Sequence, residues 1–161
     1  MLNSTGVPDK DQVVSRFFDE KILSSYKAII ECYEDIPCNP CATSCPVSAI
    51  TIAPDIHAQP VVDPSVCTGC SICVTSCPGL AIMLATVMED KARFKIPYEM
   101  NESFEKGTEV HAIDRSGEII GVAKVLNVSN YPHQLKTRLI TVEVDASLLH
   151  DFITIRGIQH G

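Results

Sequence analysis

All eight cysteines of the chain lie between positions 32 and 77. A fold that must gather so many thiols from so short a stretch has little freedom there. The second half of the stretch reads Cys67-Thr68-Gly69-Cys70-Ser71-Ile72-Cys73-Val74-Thr75-Ser76-Cys77-Pro78, spaced C-x2-C-x2-C-x3-C-P. Three thiolates this close can wrap one corner of a cubic iron–sulfur cluster, while the fourth, followed by proline, is turned towards a different cluster. A disulfide framework would instead spread its cysteines over the fold and follow a secretion signal. Residues 1–15 show no apolar core flanked by basic residues, so no signal peptide is read and a cytoplasmic location is expected.

The cysteine stretch contains an internal repeat. Cys38, Cys41, Thr43-Ser44-Cys45-Pro46 and Ala49-Ile50 recur 32 positions later as Cys70, Cys73, Thr75-Ser76-Cys77-Pro78 and Ala81-Ile82. Between the copies, residues 49–52 and 59–62 read as two strands of a hairpin joined through Pro54, Asp55 and His57, with Pro60 making the second an edge strand. Paired C-x2-C elements also build four-cysteine zinc sites. A C-x2-C-x2-C trio followed by C-P, met twice and once intact, favours iron–sulfur.

Around the cysteines the texture changes twice. Residues 1–25 form a leader in which 9–18 read as a short amphipathic helix. Asp9 is its N-cap, Gln12 stands three positions on, and Val13, Val14, Phe17 and Phe18 share a stripe. Residues 26–34 read as a strand that Ile36-Pro37 ends. From residue 91 the chain is β-rich: a strand at 91–96, a polar connector at 97–106, strands at 108–113, 118–128 and 138–144, a helical turn at 146–151 and a last strand at 152–155. The expected fold class is α+β. A ferredoxin-like two-cluster domain at 26–90 is followed by a small antiparallel β-barrel or sandwich at 91–161, a docking module with no chemistry of its own.

Composition narrows the function. With 13 basic and 20 acidic residues the formal charge is −7, and eight bound thiolates would outweigh the charge of two oxidised clusters. Such a surface repels nucleic acid and favours basic docking patches. The least polar segment, 119–126, is short and contains Lys124, so no transmembrane segment is expected. His111, His133, His150 and His160 are scattered, and no residues form a catalytic constellation. The Asn-x-Ser/Thr matches at Asn3, Asn101 and Asn127 are expected by chance.

Residues 38–46 and 67–78 resemble the paired motifs of bacterial-type two-cluster [4Fe–4S] ferredoxins, and the resemblance extends over about residues 28–85. It implies two [4Fe–4S] clusters and an exchange of ligands between the motifs. Cys67, Cys70, Cys73 and Cys45 would hold one cluster; Cys38, Cys41 and Cys77 would serve the other. Here the pattern is broken, because the family's first cysteine falls on Asp35. The fourth ligand is then Cys32, Asp35, or nothing from the protein; thiolate is the softer and preferred donor. The loops also differ: Cys67-Thr68-Gly69-Cys70 offers N–H donors, whereas Pro40 removes one from Cys38-Asn39-Pro40-Cys41. Separate potentials are expected, with the Cys38/Cys41 cluster the lower at equal exposure.

No GxGxxG element or other flavin or nicotinamide site is visible, so the chain reads as an electron conduit and not as an enzyme on its own. The segment ECYEDIPCNPCATSCPVSAI resembles ferredoxin-type small subunits of FAD-dependent amino-acid or amine dehydrogenases, such as those acting on proline or hydroxyproline. That resemblance implies a hetero-oligomer with a FAD-containing dehydrogenase subunit, from which electrons pass singly through the clusters. The competing reading is a free, diffusible two-cluster ferredoxin serving several oxidoreductases. A third, a regulatory module sensing oxygen or iron, needs one cluster only, and the duplicated motif argues against it.

Overall fold

The computed structural model describes residues 2, 4–132 and 136–158. Asn3, His133 and His160 lie outside the described residues. In the leader, Asp9 caps α1 (Lys10–Val14): its carboxylate accepts from Gln12 N at 2.8 Å, and the Gln12 side chain accepts from Asp9 N at 2.9 Å. Two orphan N–H groups are thus satisfied reciprocally. The helix is shorter than the expected 9–18. Val13, Phe17 and Phe18 turn inward, but Val14 is 41% exposed, since neighbours on a single helical turn cannot both face one side. A 3-10 turn at Ile22–Ser24 is tied to the sheet by Thr86 Oγ1, which donates to Leu23 O at 2.7 Å.

The cysteine region follows β1 (Lys27–Ile30) and contains α2 (Pro40–Thr43), β2 (Ile50–Thr51), β3 (Val61–Val62) and α3 (Ile72–Ser76). Strands β2 and β3 pair as the expected hairpin, trimmed to Ile50 opposite Val62 and Thr51 opposite Val61. Strand β4 (Ile82–Met88) begins five residues beyond the last cysteine and was not anticipated. Its first five residues are all buried, so the alternation that marks a one-faced strand is missing.

The remaining strands are β5 (Lys91–Tyr98), β6 (Glu109–Ile113), β7 (Ile119–Ser129), β8 (Arg138–Asp145) and β9 (Thr154–Gly157). Pro97 and Tyr98, expected in a connector, extend β5, whose burial alternates strictly. Among the described residues, seven strands form one antiparallel sheet in the order β1-β4-β5-β8-β7-β6-β9. This corrects the expectation of a separate barrel or sandwich beginning at residue 91. Strands β4 and β5 pair from Leu84↔Lys95 to Met88↔Lys91 across that boundary, so the β-rich part continues the sheet that the cysteine region starts.

Period-two alternation gives β1 and β4 two different jobs. Ile29, Met83 and Ala85 join the main core with Phe94, Ile96, Val125, Val142 and Phe152. Ala28, Ile30, Ile82 and Leu84 face the other way and pack with Cys41, Cys67, Cys73 and Val74. The two strands are therefore a wall shared by the apolar core and the cysteine layer.

The sheet also curls until its ends are bridged. Glu31, just past β1, forms an ion pair with Arg115 in the β6–β7 turn. Arg115 Nε donates to Glu31 Oε2 at 2.7 Å, and its Nη1 donates to the carbonyls of His150 (2.7 Å) and Asp151 (3.1 Å), close to β9. The Arg115 and Glu31 side chains are only 10% and 8% exposed. A buried pair contributes little against an apolar substitute, yet losing one partner strands a buried charge. Arg115→Met should therefore cost about 3 kcal/mol, read as a lower unfolding midpoint of the loaded protein; an unchanged midpoint would show that Glu31 finds another partner.

Candidate metal centres

The sequence repeat is a repeat of backbone geometry. After each Cys-Pro, the residue three beyond the cysteine takes a left-handed φ, +54° at Ser48 and +52° at Leu80. Its N–H donates to the cysteine carbonyl at 3.2 Å in both copies. The next residue then donates to sulfur: Ala49 N to Cys45 Sγ at 3.2 Å and Ala81 N to Cys77 Sγ at 3.4 Å. Upstream, Thr43 Oγ1 donates to Pro40 O and Thr75 Oγ1 to Ile72 O, both at 3.3 Å. The copies part at the helix N-caps. Ser71 stands at φ +73°, whereas Asn39, which precedes Pro40, stands at −140°, as residues before proline are driven from the helical region.

These turns deliver the eight thiols to two places. Cys32, Cys38, Cys41 and Cys77 line one cavity; Cys45, Cys67, Cys70 and Cys73 line another. Each set takes its C-P cysteine from the other copy of the motif. The electrostatics divide in the same way. Burial pushes the Cys73 thiol up to about 12, with Cys67, Cys70, Cys45 and Cys41 adding to the rise. Burial likewise raises Cys32, helped by Cys77 and Cys38 and opposed by Arg16. Thiols so crowded ionise only against a strong positive charge, which bound iron supplies.

The donor chemistry fits iron–sulfur clusters. All eight cysteines are free, and soft thiolate is the preferred donor for such clusters. Among the described residues, no three Cys, His, Asp or Glu side chains converge where a single metal ion could sit. Four thiols spread around a cavity suit a polynuclear group better than mononuclear zinc, whose ligands must meet at about 2.3 Å from one point.

Asp35 is turned elsewhere. Its Oδ1 accepts from Gln59 Nε2 at 3.1 Å, and it lines a separate polar hollow with Pro54, Asp55 and His57. Cys32, not Asp35, completes the four around the first cavity. The second loop rests on a close approach: Gly69 has φ +70°, and a Cβ there would lie 2.6 Å from Tyr26 O. Only glycine meets both demands.

Three residues that sequence reasoning did not single out surround the two sets: Arg16, Lys27 and Gln59. Arg16 and Lys27 donate to the carbonyls of Cys32 and Cys67, and Gln59 Nε2 donates to Tyr33 O at 2.8 Å. Every residue carries a carbonyl, so no spacing signal marks such contacts. The described histidines lie apart: His57 in the exposed β2–β3 loop beside Asp55, His111 on β6, and His150 edge-on to Phe17 at 4.9 Å.

Residues 36–108 match the family model of the 4Fe-4S dicluster domain. The match takes in seven of the eight cysteines, leaves Cys32 outside, and ends immediately before β6. No curated protein and no solved structure matches the chain. The two four-cysteine sites and the dicluster domain support an iron–sulfur protein of ferredoxin type. It carries two [4Fe–4S] clusters and serves electron transfer, as a carrier rather than a catalytic enzyme. Among the described residues no helix is long and apolar enough to cross a membrane.

The tight seat of Gly69 yields a direct test. Gly69→Ala should strain the Cys67–Cys70 loop by about 1 to 3 kcal/mol and drop iron content from about eight per chain towards four, with one of two cluster EPR signals lost. Full iron content in this variant would mean that the loop does not depend on its contact with Tyr26.

Proposed function

We propose that Cys45, Cys67, Cys70 and Cys73 ligate one [4Fe–4S] cluster and that Cys32, Cys38, Cys41 and Cys77 ligate the other. The observation that carries this is the sorting of the eight thiols into two cavities of four. Loaded sites of this kind supply single-electron transfer. The chain's residues supply the rest: apolar side chains of β1 and β4 shield the buried thiols, and the Cys-Pro turns aim N–H groups at sulfur. Cys70 is exposed, and Val47, which lines the same cavity, is 37% exposed; this face is the place where electrons enter or leave. Cys32→Ser should remove one of two EPR signals, that of the cluster with the lower midpoint, and Asp35→Ala should leave both. Two intact four-iron signals in Cys32→Ser would reject the assignment.

The chain is best placed as a fixed electron-transfer subunit of a multisubunit FAD-dependent dehydrogenase acting on an amino acid or amine. Electrons from the reduced flavin of a partner subunit would pass singly through its two sites. Support comes from the resemblance of residues 31–50 to such subunits. It comes also from the large body built on the cysteine layer, since carrying two clusters does not require seven sheet strands. Isolated anaerobically from its native host, the tagged chain should bring a flavoprotein in about equal amount. A monomer that is reduced and reoxidised unaided by several oxidoreductases would overturn this in favour of a diffusible ferredoxin.

A further inference from the structure

Each four-cysteine set has a cation seated on the carbonyl of its first cysteine. Arg16 Nη2 donates to Cys32 O at 3.2 Å and also to Gln59 Oε1, while the guanidinium lies 5.0 Å from the centre of the Tyr33 ring. Lys27 Nζ donates to Cys67 O at 2.8 Å. These cations come from outside the repeat, Arg16 from the leader just past α1 and Lys27 from β1, yet they arrive at matching places on the two sets.

At the first set the contact is also a clamp. Gln59 binds Arg16, Tyr33 O and the Asp35 carboxylate, so the pair grips residues 32–35, where the ligand spacing departs from the repeat. Arg16 Nε is buried without a partner, a desolvation cost that the structure accepts while keeping the charge there. Glu34 lines the same cavity as Cys32, and its carboxylate accepts from Leu2 N at 2.7 Å. An added electron makes a cluster site more negative, so a nearby cation favours the reduced state and raises the potential.

We propose that Arg16 and Lys27 are positioning residues that set the reduction potentials of the two sites separately, Arg16 for the Cys32 set and Lys27 for the Cys67 set. This rests on the ligand assignment given above. That assignment is checked on its own by about eight iron and eight sulfide per wild-type chain and by the signal lost in Cys32→Ser, before any cation variant is titrated.

The experiment is an EPR-monitored redox titration of the full-length, cluster-loaded chain. Arg16→Gln should lower the midpoint of the Cys32-dependent signal by about tenfold in the reduction equilibrium, ~59 mV for one electron, and leave the other signal in place. Lys27→Gln should do the reverse. Arg16→Lys, which keeps the charge, should titrate as wild type. Equal shifts of both signals, or none, in Arg16→Gln or Lys27→Gln overturn the proposal. If Arg16→Gln does not hold its cluster, Arg16→Lys decides: a wild-type midpoint supports the role of charge, and a displaced one overturns it.

Discussion

Two sets of four thiols, each drawn from both copies of one motif, can be gathered only if the chain crosses between them. Cys45 must leave its own C-x2-C neighbours to join Cys67, Cys70 and Cys73, and Cys77 must make the return journey to Cys32, Cys38 and Cys41. The crossing makes the sites interdependent, because neither closes without the other copy being in place. It also explains the matched Cys-Pro turns. A left-handed residue and an N–H aimed at sulfur reverse the chain within four residues and hold the crossing thiol in position.

The sulfurs so gathered are costly neighbours. Burial, with the neighbouring thiols adding to it, raises the pKa of Cys32, Cys41 and Cys73, so these groups stay protonated until iron binds and the surrounding structure must hold them in place. Strands β1 and β4 do this with one face while the other face belongs to the main core. The strands that follow the cysteines are thus part of the support. Phe94, Val142 and Phe152 anchor the far side of the wall against which Cys41, Cys67 and Cys73 rest.

That arrangement bears on what kind of carrier this is. The leader and the β6–β7 turn both reach the cysteine segment: Arg16 holds Cys32 O, and Arg115 holds Glu31 next door. Residue 32 is therefore fixed by contacts that lie outside the repeat. A four-thiol set whose first cysteine is displaced and whose flanking residues are held by two separate arginines has a backbone and an electrostatic setting unlike its twin.

Much of this was legible in the residues. The cysteine spacing and the offset of 32 point to iron–sulfur sites, because ligand reach along a short chain is a local, covalent property, while the exchange of Cys45 and Cys77 is implied by the resemblance to two-cluster ferredoxins. The capping box at Asp9 and Gln12, the β2–β3 hairpin and the strand at 138–144 were equally local. Strand β4 was hidden, since burial on both faces erases alternation, and with it went the continuity of the sheet through residue 90. Donor softness favoured Cys32 over Asp35, but that Cys32 lines the first cavity while Asp35 turns away, and that cations sit on the carbonyls of Cys32 and Cys67, is visible only in the tertiary structure. Those cation contacts depend on side chains from distant segments meeting backbone carbonyls, and a carbonyl is the same at every position in a sequence.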